Sequence, residues 1–290
     1  MARRRGLTAY GFLAPGLLLF AAFRVYPLLD GLRLSFTNAR LGRPAQAFVG
    51  LANYERLLED TRFHTSLWNT LFYTAASTLP ILAIPLLLAV ALNRGSMRTV
   101  LRGAFFFPFT LSVVTVGLTW LWLLDPVVGP FNYYFGWLVG PGRSWLSEPG
   151  TAMWVIIATT VWWVTGYYLV IYLAGLQDIP RDLYESAALD GSGAIRSFWA
   201  ITLPLLRPVL FIAVLFRTLD ALRAFDIMFV LTGGGPANTT ETLTVYAYRS
   251  LFQTLQLGLG SAIGVAVFAL VMLVAWAYLT AIVHEDEAAA

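Results

Sequence analysis

The chain has 290 residues, 58% of them hydrophobic and only 12% charged, against about 45–50% apolar and about 25% charged in a soluble domain. So few charged groups cannot coat a water-soluble globule, and a net charge of +3 is too small to argue a nucleic-acid partner. There is no Cys, which excludes disulfides, thiolate nucleophiles and Cys-based metal sites, and His64 and His284 have no second His at ligand spacing.

Apolar runs occupy approximately 7–25, 67–92, 104–124, 151–176, 204–230 and 258–283. Each has about 19–27 residues, long enough to cross a ~30 Å hydrocarbon core at ~1.5 Å per residue. None alternates with the period of a barrel strand, so the expected fold is an all-α integral membrane protein with six transmembrane helices. Arg3-Arg4-Arg5 ahead of the first run resembles a secretory leader. The run exceeds the usual leader core, however, and is read as an uncleaved first span within 7–36.

All 19 basic residues are Arg. With the N-terminus inside, the inner segments 1–6, 93–103, 176–207 and 284–290 hold nine Arg in 56 residues, and the outer segments 37–66, 125–150 and 231–257 hold six in 83. Arg94, Arg98 and Arg102 in one short acid-free loop weigh most. The expected orientation therefore has both termini cytoplasmic. Eight of the ten Trp fall in the outer loops or in spans bordering them, as an outer aromatic belt would.

Pro80 and Pro85 in the second run and Pro108 in the third are expected to kink their helices. Gly260 and Gly264 on the last run form a small-xxx-small patch, open either to a helix contact or to lipid.

The segment 176–207 is far longer than the 2–8 residues usual between helices. Pro180 suits a first helical turn, Asp182-x-x-Glu185 reads as a capping box, and Ala187, Ala188 and Leu189 propagate a short helix that Gly191 and Gly193 can end. A second short segment, 195–203, carries Phe198, Trp199, Ile201 and Leu203. Asp178, Asp182, Glu185 and Asp190 outnumber Arg181 and Arg196, which disfavours a membrane-surface helix and favours docking into a partner's groove.

Glu185-Ser186-Ala187, Gly191, Ile201 and Leu203-Pro204 together resemble the EAA signature of the membrane subunits of binding-protein-dependent ABC importers, with Ser in place of the second small residue. Tyr26-Pro27 with Ser35-Phe36, Phe48-Val49-Gly50-Leu51-Ala52-Asn53-Tyr54, Asn69-Thr70-Leu71 and Thr232-Gly233-Gly234-Gly235-Pro236 resemble the carbohydrate branch, in its MalF-like half. This resemblance implies a MetI-like permease fold. It further implies a coupling helix carrying Asp182, Tyr184, Glu185, Ser186, Ala187, Asp190 and Gly191, seated in a separate ATPase. The implied partners are a second homologous permease, two ATPase subunits that bind ATP-Mg, an extracytoplasmic solute-binding protein and membrane lipid. No cofactor belongs to this chain: lacking Lys, it has no G-x-x-x-x-G-K-[ST] loop.

In the fifth run Arg217, Asp220, Arg223 and Asp226 recur every third residue. Counted from residue 205, Arg217 stands ~18 Å and Asp226 ~32 Å along a continuous helix. Arg223 and Asp226 are expected to pair, whereas Arg217 and Asp220 either pair or line a polar cavity. Trp162, Trp163, Thr165, Gly166, Tyr167 and Tyr168 in the fourth run offer an aromatic face suited to a sugar ring, or else ordinary packing. The resemblance places the substrate pathway at Trp162, Thr165, Gly166, Arg217, Ala221 and Ala224, to which the residue reading adds Tyr168 and Asp220. Gly233–Pro236 is turn chemistry, either facing the side where a binding protein delivers substrate or simply joining two spans.

Two other classes fit less well. A secondary transporter calls for two related halves with interrupted helices and mid-span acidic or His relays. An intramembrane enzyme needs a nucleophile–base pair or metal ligands within the spans. Neither pattern is visible.

Overall fold

The computed structural model describes residues 12–43, 46–93, 98–140 and 142–289. The expectations for Arg3–Arg5, for the start of the first run, for Arg94 and for the side chains of Arg98 and of the tail from 284 lie outside the described residues.

Among the described residues the regular secondary structure is helical, apart from an isolated antiparallel bridge between Thr37 and Phe48. Four of the described helices are long and apolar enough to cross a membrane unbroken: α1 (Phe12–Ser35), α3 (Thr61–Leu92), α7 (Ala152–Gln177) and α12, whose apolar stretch is Leu257–Thr280 and which continues to Ala289. Two further apolar segments are bent pairs, each a broken span or a re-entrant segment: Thr99–Thr110 with Val113–Leu123 at 98°, and Ala194–Leu205 with Arg207–Leu222 at 68°. The pieces are α4 (Arg98–Phe106), α5 (Val113–Leu123), α9 (Ala194–Leu205) and α10 (Arg207–Leu222). Counting each pair as one crossing, six spans result.

Three runs differ from expectation. The second begins at Thr61, six residues early, and runs through Pro80 and Pro85 without a break. The third is not one rod. Pro108 lies in a 3-10 turn, Phe107–Thr110, after which Leu111 and Ser112 turn extended. The fifth is broken at both ends: Pro208 opens α10, and the helix stops at Leu222. A new helix, α11 (Asp226–Thr232), follows. Proline, lacking N–H and clashing with the preceding turn, accounts for the first two breaks.

The chain divides into two compact units. The first comprises residues up to His64 plus 246–269. In it Asn53, on α2 (Ala52–Glu59), donates through Nδ2 to the carbonyls of Ser35 at 2.7 Å and Thr37 at 2.8 Å. Asn53 thereby satisfies the open C-terminus of α1. Ser35 and Tyr54 share a hydroxyl hydrogen bond at 2.7 Å, and Gly50 takes a left-handed φ of +59°. The Phe48–Tyr54 motif is thus the clasp on the end of α1. Gly258 lies so close to this clasp that a Cβ would fall 2.0 Å from the Thr37 carbonyl oxygen. Gly260 likewise packs on Leu251, whereas Gly264 faces open space, so only half of the expected small-residue patch makes a contact.

The second unit comprises 65–245 and 270–290. One core cluster gathers Ile81, Tyr168, Leu169, Tyr172 and Leu206, and another Tyr73, Val116, Ile156, Ala221 and Met228. α7 runs through both and contributes more buried residues than any other span. Gly117 of α5 allows Val230 of α11 to approach, since a Cβ there would meet its side chain at 2.4 Å.

Within this unit α3 presents a buried polar stripe, Ser66, Asn69, Thr70, Tyr73, Thr74 and Ser77. Asn69 Nδ2 donates to the carbonyls of Asn238 and Glu241 at 2.8 and 3.0 Å, and the Leu243 N–H donates to Thr70 Oγ1 at 3.0 Å. Spacings of three and four put these groups on one helix face, which becomes the seam for the neighbouring backbone. The Gly233–Pro236 turn is strapped to this seam. Gly233 and Gly234 take φ of +59° and +93°, and Thr240 Oγ1 donates to the Gly235 carbonyl at 2.6 Å.

Candidate functional site

Two places combine exposure with organised chemistry. The first is α8 (Arg181–Leu189), in the long connection between α7 and α9. Its cap position is Pro180, with no side-chain cap bond. The expected Asp182 cap is therefore corrected: Asp182 lies inside the first turn, where a carboxylate still favours the helix dipole. The C-terminal end matches expectation. Gly191 takes φ +77°, its N–H donates to the Ala188 carbonyl at 3.1 Å, and the Ser192 N–H donates to that of Ala187 at 2.8 Å. This is a Schellman stop, which requires the left-handed residue that glycine supplies at little cost.

None of the nine residues of α8 is buried. Asp182, Glu185, Ser186, Asp190 and Gly191 are exposed, Tyr184 and Ala187 half-buried, and Leu189 is 90% exposed. The helix stands on Tyr184, whose hydroxyl shares a 2.8 Å hydrogen bond with Thr202 of α9. Behind it a cavity of about 360 Å³ is lined by Tyr184, Ala188, Ser197, Phe198 and Thr202. A helix this short is marginal in water unless its faces are packed. Five of the seven residues expected for coupling lie in this exposed helix, and Asp190 and Gly191 form the turn that ends it.

The second place surrounds Arg217, 2% exposed although it lies well inside a bent span. Its Nη2 donates to Ser77 Oγ at 2.6 Å, and Nη1 reaches Asp220 Oδ2 at 3.4 Å. Its guanidinium carbon lies 5.6 Å from the centroid of the Tyr73 ring, within cation–π range. Nε has no hydrogen-bond partner. Tyr73 in turn donates to Thr160 Oγ1 at 3.2 Å. The Asp220 side chain is 73% exposed, so the pair is buried at one end and open at the other. A recess of about 140 Å³ is lined by Tyr73, Thr160, Trp163, Arg217, Asp220 and Ala224, among others. Asp226 and Arg223 also border it. They do not pair as expected, because α10 ends at Leu222 and the chain leaves the helix between Arg223 and Asp226, and Arg223 Nε donates to the Leu219 carbonyl at 3.1 Å instead.

The eight pathway candidates do not share one cavity. Arg217, Asp220 and Ala224 line the recess. Trp162 and Thr165 line a different, apolar cleft of about 660 Å³ with Pro80, Phe105 and Pro108. Ala221 is fully buried beside Met228 and Ile156, and Tyr168 is buried in the other cluster. At Gly166 a Cβ would fall 2.2 Å from the Phe105 carbonyl oxygen, so this glycine seats α4 against α7 and leaves no gap for a sugar. Most of the aromatic face is packing as well. Tyr167 stacks on Phe109 at 4.8 Å, Trp163 Nε1 donates to the Leu111 carbonyl at 3.3 Å, and Thr165 Oγ1 donates to the Val161 carbonyl at 2.6 Å.

Sequence reading missed Ser77 and Tyr73, which hold Arg217, and Thr160, which accepts from Tyr73. The polar stripe on the second run was the available signal: small hydroxyl and amide residues every three or four positions inside an apolar span mark a face turned to protein.

A polytopic helical protein with broken spans, an ionic recess and a protruding short helix has the architecture of a transport permease. A bacterial ABC transporter involved in import of the acidic polysaccharide alginate shares this fold, with a TM-score of 0.86 over 96% of this chain and 95% of that chain, at 23% identity. The chain belongs to the family of binding-protein-dependent transport system inner membrane components, matched over residues 65–283. It is 38% identical over 283 residues to the sulfoquinovosyl glycerol transport system permease protein SmoG of Agrobacterium fabrum, covering 97% of this chain and 92% of that protein. It is 35% identical over 270 residues to the trehalose/maltose transport system permease protein MalF of Thermococcus litoralis, covering 93% and 91%. It is thus a multi-pass membrane permease of the ABC-importer type.

Proposed function

We propose that this chain forms half of the transmembrane pathway of an ATP-driven carbohydrate importer, carrying a di- or oligosaccharide or a related glycoside. The relatives SmoG and MalF are named for such substrates. The second half is a homologous permease, ATP-Mg is bound by two separate ATPase subunits, and an extracytoplasmic solute-binding protein delivers the sugar. Both termini and the 176–207 connection lie on the cytoplasmic side, in keeping with the Arg distribution. The outer segments are 37–66, 125–150 and 231–257.

One observation carries the reading: α8 is a nine-residue helix with no buried side chain, tied to α9 through the Tyr184 hydroxyl. Such a helix acts as a peg that a cleft in the ATPase covers, and closure of an ATPase dimer would drive it against α9 and the bent span beyond. The Arg217–Asp220 pair presents donors and an acceptor toward the recess, the polar complement a sugar hydroxyl needs.

Because the chain has no Cys, a single Ser186→Cys or Ala187→Cys substitution gives an unambiguous crosslink. The expected result is a crosslink to the ATPase subunit that changes with nucleotide. Labelling of that position from outside intact cells, or uptake that persists on an ion gradient after the ATPase is deleted, overturns the proposal in favour of a secondary transporter.

A further inference from the structure

The short helix α6 (Pro130–Val139) has its faces reversed for a helix bathed in water. On a helical wheel at ~100° per residue, Tyr133, Tyr134 and Trp137 share one arc of about 100°. Tyr133 and Trp137 are each 83% exposed. The opposite side, turned to the protein, holds Asn132 and Gly136, both buried. Asn132 and Gly136 face in and Tyr133, Tyr134 and Trp137 face out, while the half-buried Phe131 packs edge-on against Trp145 at 5.7 Å. No residue of α6 carries a charge.

The helix is rigidly mounted. Asn132 Nδ2 donates to the carbonyls of Asp125 and Arg143, both at 3.1 Å, and Asn132 Oδ1 accepts from Trp145 Nε1 at 3.2 Å. Arg143 pairs with Glu148 at 3.1 Å and lies 4.6 Å from the Trp145 ring centroid. The aromatic face is therefore displayed by a built support.

The bond to Asp125 also sets the height of the helix. Asp125 is the second residue beyond the end of α5 at Leu123, and its carboxyl is held below the usual carboxylate range by the N–H groups of Val128 and Val127. An ionised group there marks where the span meets water. Trp122, in the last turn of α5, and Val127 and Val128 in the linking turn are exposed as well, so exposed apolar side chains follow the chain from the end of the span onto α6.

We propose that α6 is a membrane-surface helix, its Tyr133–Tyr134–Trp137 face lying in the headgroup–acyl boundary of the bilayer at the level where α5 leaves it. Tyr and Trp combine an apolar ring with one polar tip and concentrate at that depth. An exposed apolar face of this kind in water would be a liability. The lipid is favoured over a soluble protein partner because the face is uncharged and exposed apolar side chains lead to it from the end of a membrane span. Seated there, the helix fixes the depth and tilt of the bent α4–α5 crossing, which has no long straight rod to set them.

The test uses the assembled transporter in phosphatidylethanolamine–phosphatidylglycerol vesicles, with bimane attached at Tyr133→Cys or Trp137→Cys and the cysteine-free parent chain as background. Acyl-chain-brominated lipid should quench both labels at least twofold relative to unbrominated lipid, while aqueous iodide barely affects them. A label at Ser147→Cys, exposed beyond the helix, should respond to iodide. Iodide quenching at 133 and 137 equal to that at 147, without bromine quenching, means the face is in water and overturns the proposal. Insensitivity to both quenchers means a protein covers it, which overturns the proposal equally. Should Trp137→Cys fail to assemble, Tyr133→Cys alone gives the same reading.

Discussion

Arg217 Nη2 donates to Ser77 Oγ at 2.6 Å, so a cation inside the fifth span is held by a neutral hydroxyl of the second. Its carboxylate partner, Asp220, is one helical turn away at 3.4 Å and largely exposed. The hydroxyl, not the carboxylate, therefore carries the inter-span restraint.

Removing that hydroxyl strands part of a buried guanidinium. A hydrogen bond to a charged group contributes about 1.5–3 kcal/mol, and Ser77→Ala should lower the thermal midpoint in detergent clearly, whereas Ser77→Thr should retain most of it. Asp220→Asn should move the midpoint less, as an exposed ion pair contributes only about 0–1 kcal/mol. Equal midpoints for Ser77→Ala and the parent would refute this division of labour.

At Gly166 and Gly264 the same substitution should have opposite effects. A Cβ at 166 would collide with backbone at 2.2 Å, and one at 264 would meet nothing within 4 Å. Gly166→Ala forces α4 away from α7 and should destabilise by about 1–3 kcal/mol or more. Gly264→Ala should be neutral or stabilising by about 0.5–1 kcal/mol, since alanine is the better helix former. Detergent melting curves of the two variants decide the matter.

Gly191 has free space around it but a φ of +77°. Gly191→Val should therefore disturb the end of α8 through backbone strain of roughly 1–2 kcal/mol without touching the spans. Membrane levels should stay close to those of the parent while substrate uptake falls at least tenfold, and Glu185→Lys on the same helix should behave alike. Quantitative immunoblotting beside uptake assays would expose the contrary result, full transport with a distorted peg.

Tyr246 donates its hydroxyl hydrogen to Asp60 Oδ2. Burial first, and then that bond, raise the tyrosine's proton affinity above its usual value. The folded state thus retains a proton that the unfolded chain releases near pH 10. The stabilisation is complete below that pH and is lost as pH rises through the higher folded-state value. Unfolding followed from pH 8 to 11 should show the parent weakening above about pH 10. Tyr246→Phe should start less stable and decline less over the same interval.

The membrane character and the spans themselves were legible because hydrophobic length is a local property: about 20 apolar residues in a row admit few other readings. The short helix ending at Gly191 was equally legible, since glycine after an alanine-rich turn is a local stop signal and the Schellman bonds involve only neighbours in sequence. Asp182 was misread as a cap because Pro180, with φ already suited to a helix start, occupies that position. The breaks at Ser112 and after Leu222 were not legible. Pro108 and the charged residues around 223 hinted at irregularity, but how far a helix bends depends on what fills the space beside it.

By itself the sequence determined that this is a helical membrane protein of several spans with an exposed, small-residue helix in the 176–207 connection, because chain length, apolar runs and turn residues act over a few neighbours. Only the tertiary structure decided that Trp162 and Thr165 border one cavity while Arg217 and Asp220 border another, and that Gly166 and Ala221 serve packing. Which face of a uniformly apolar helix turns inward is set by the neighbours it meets. Those contacts join residues as distant in sequence as Ser77 and Arg217, and no periodicity within one span specifies them.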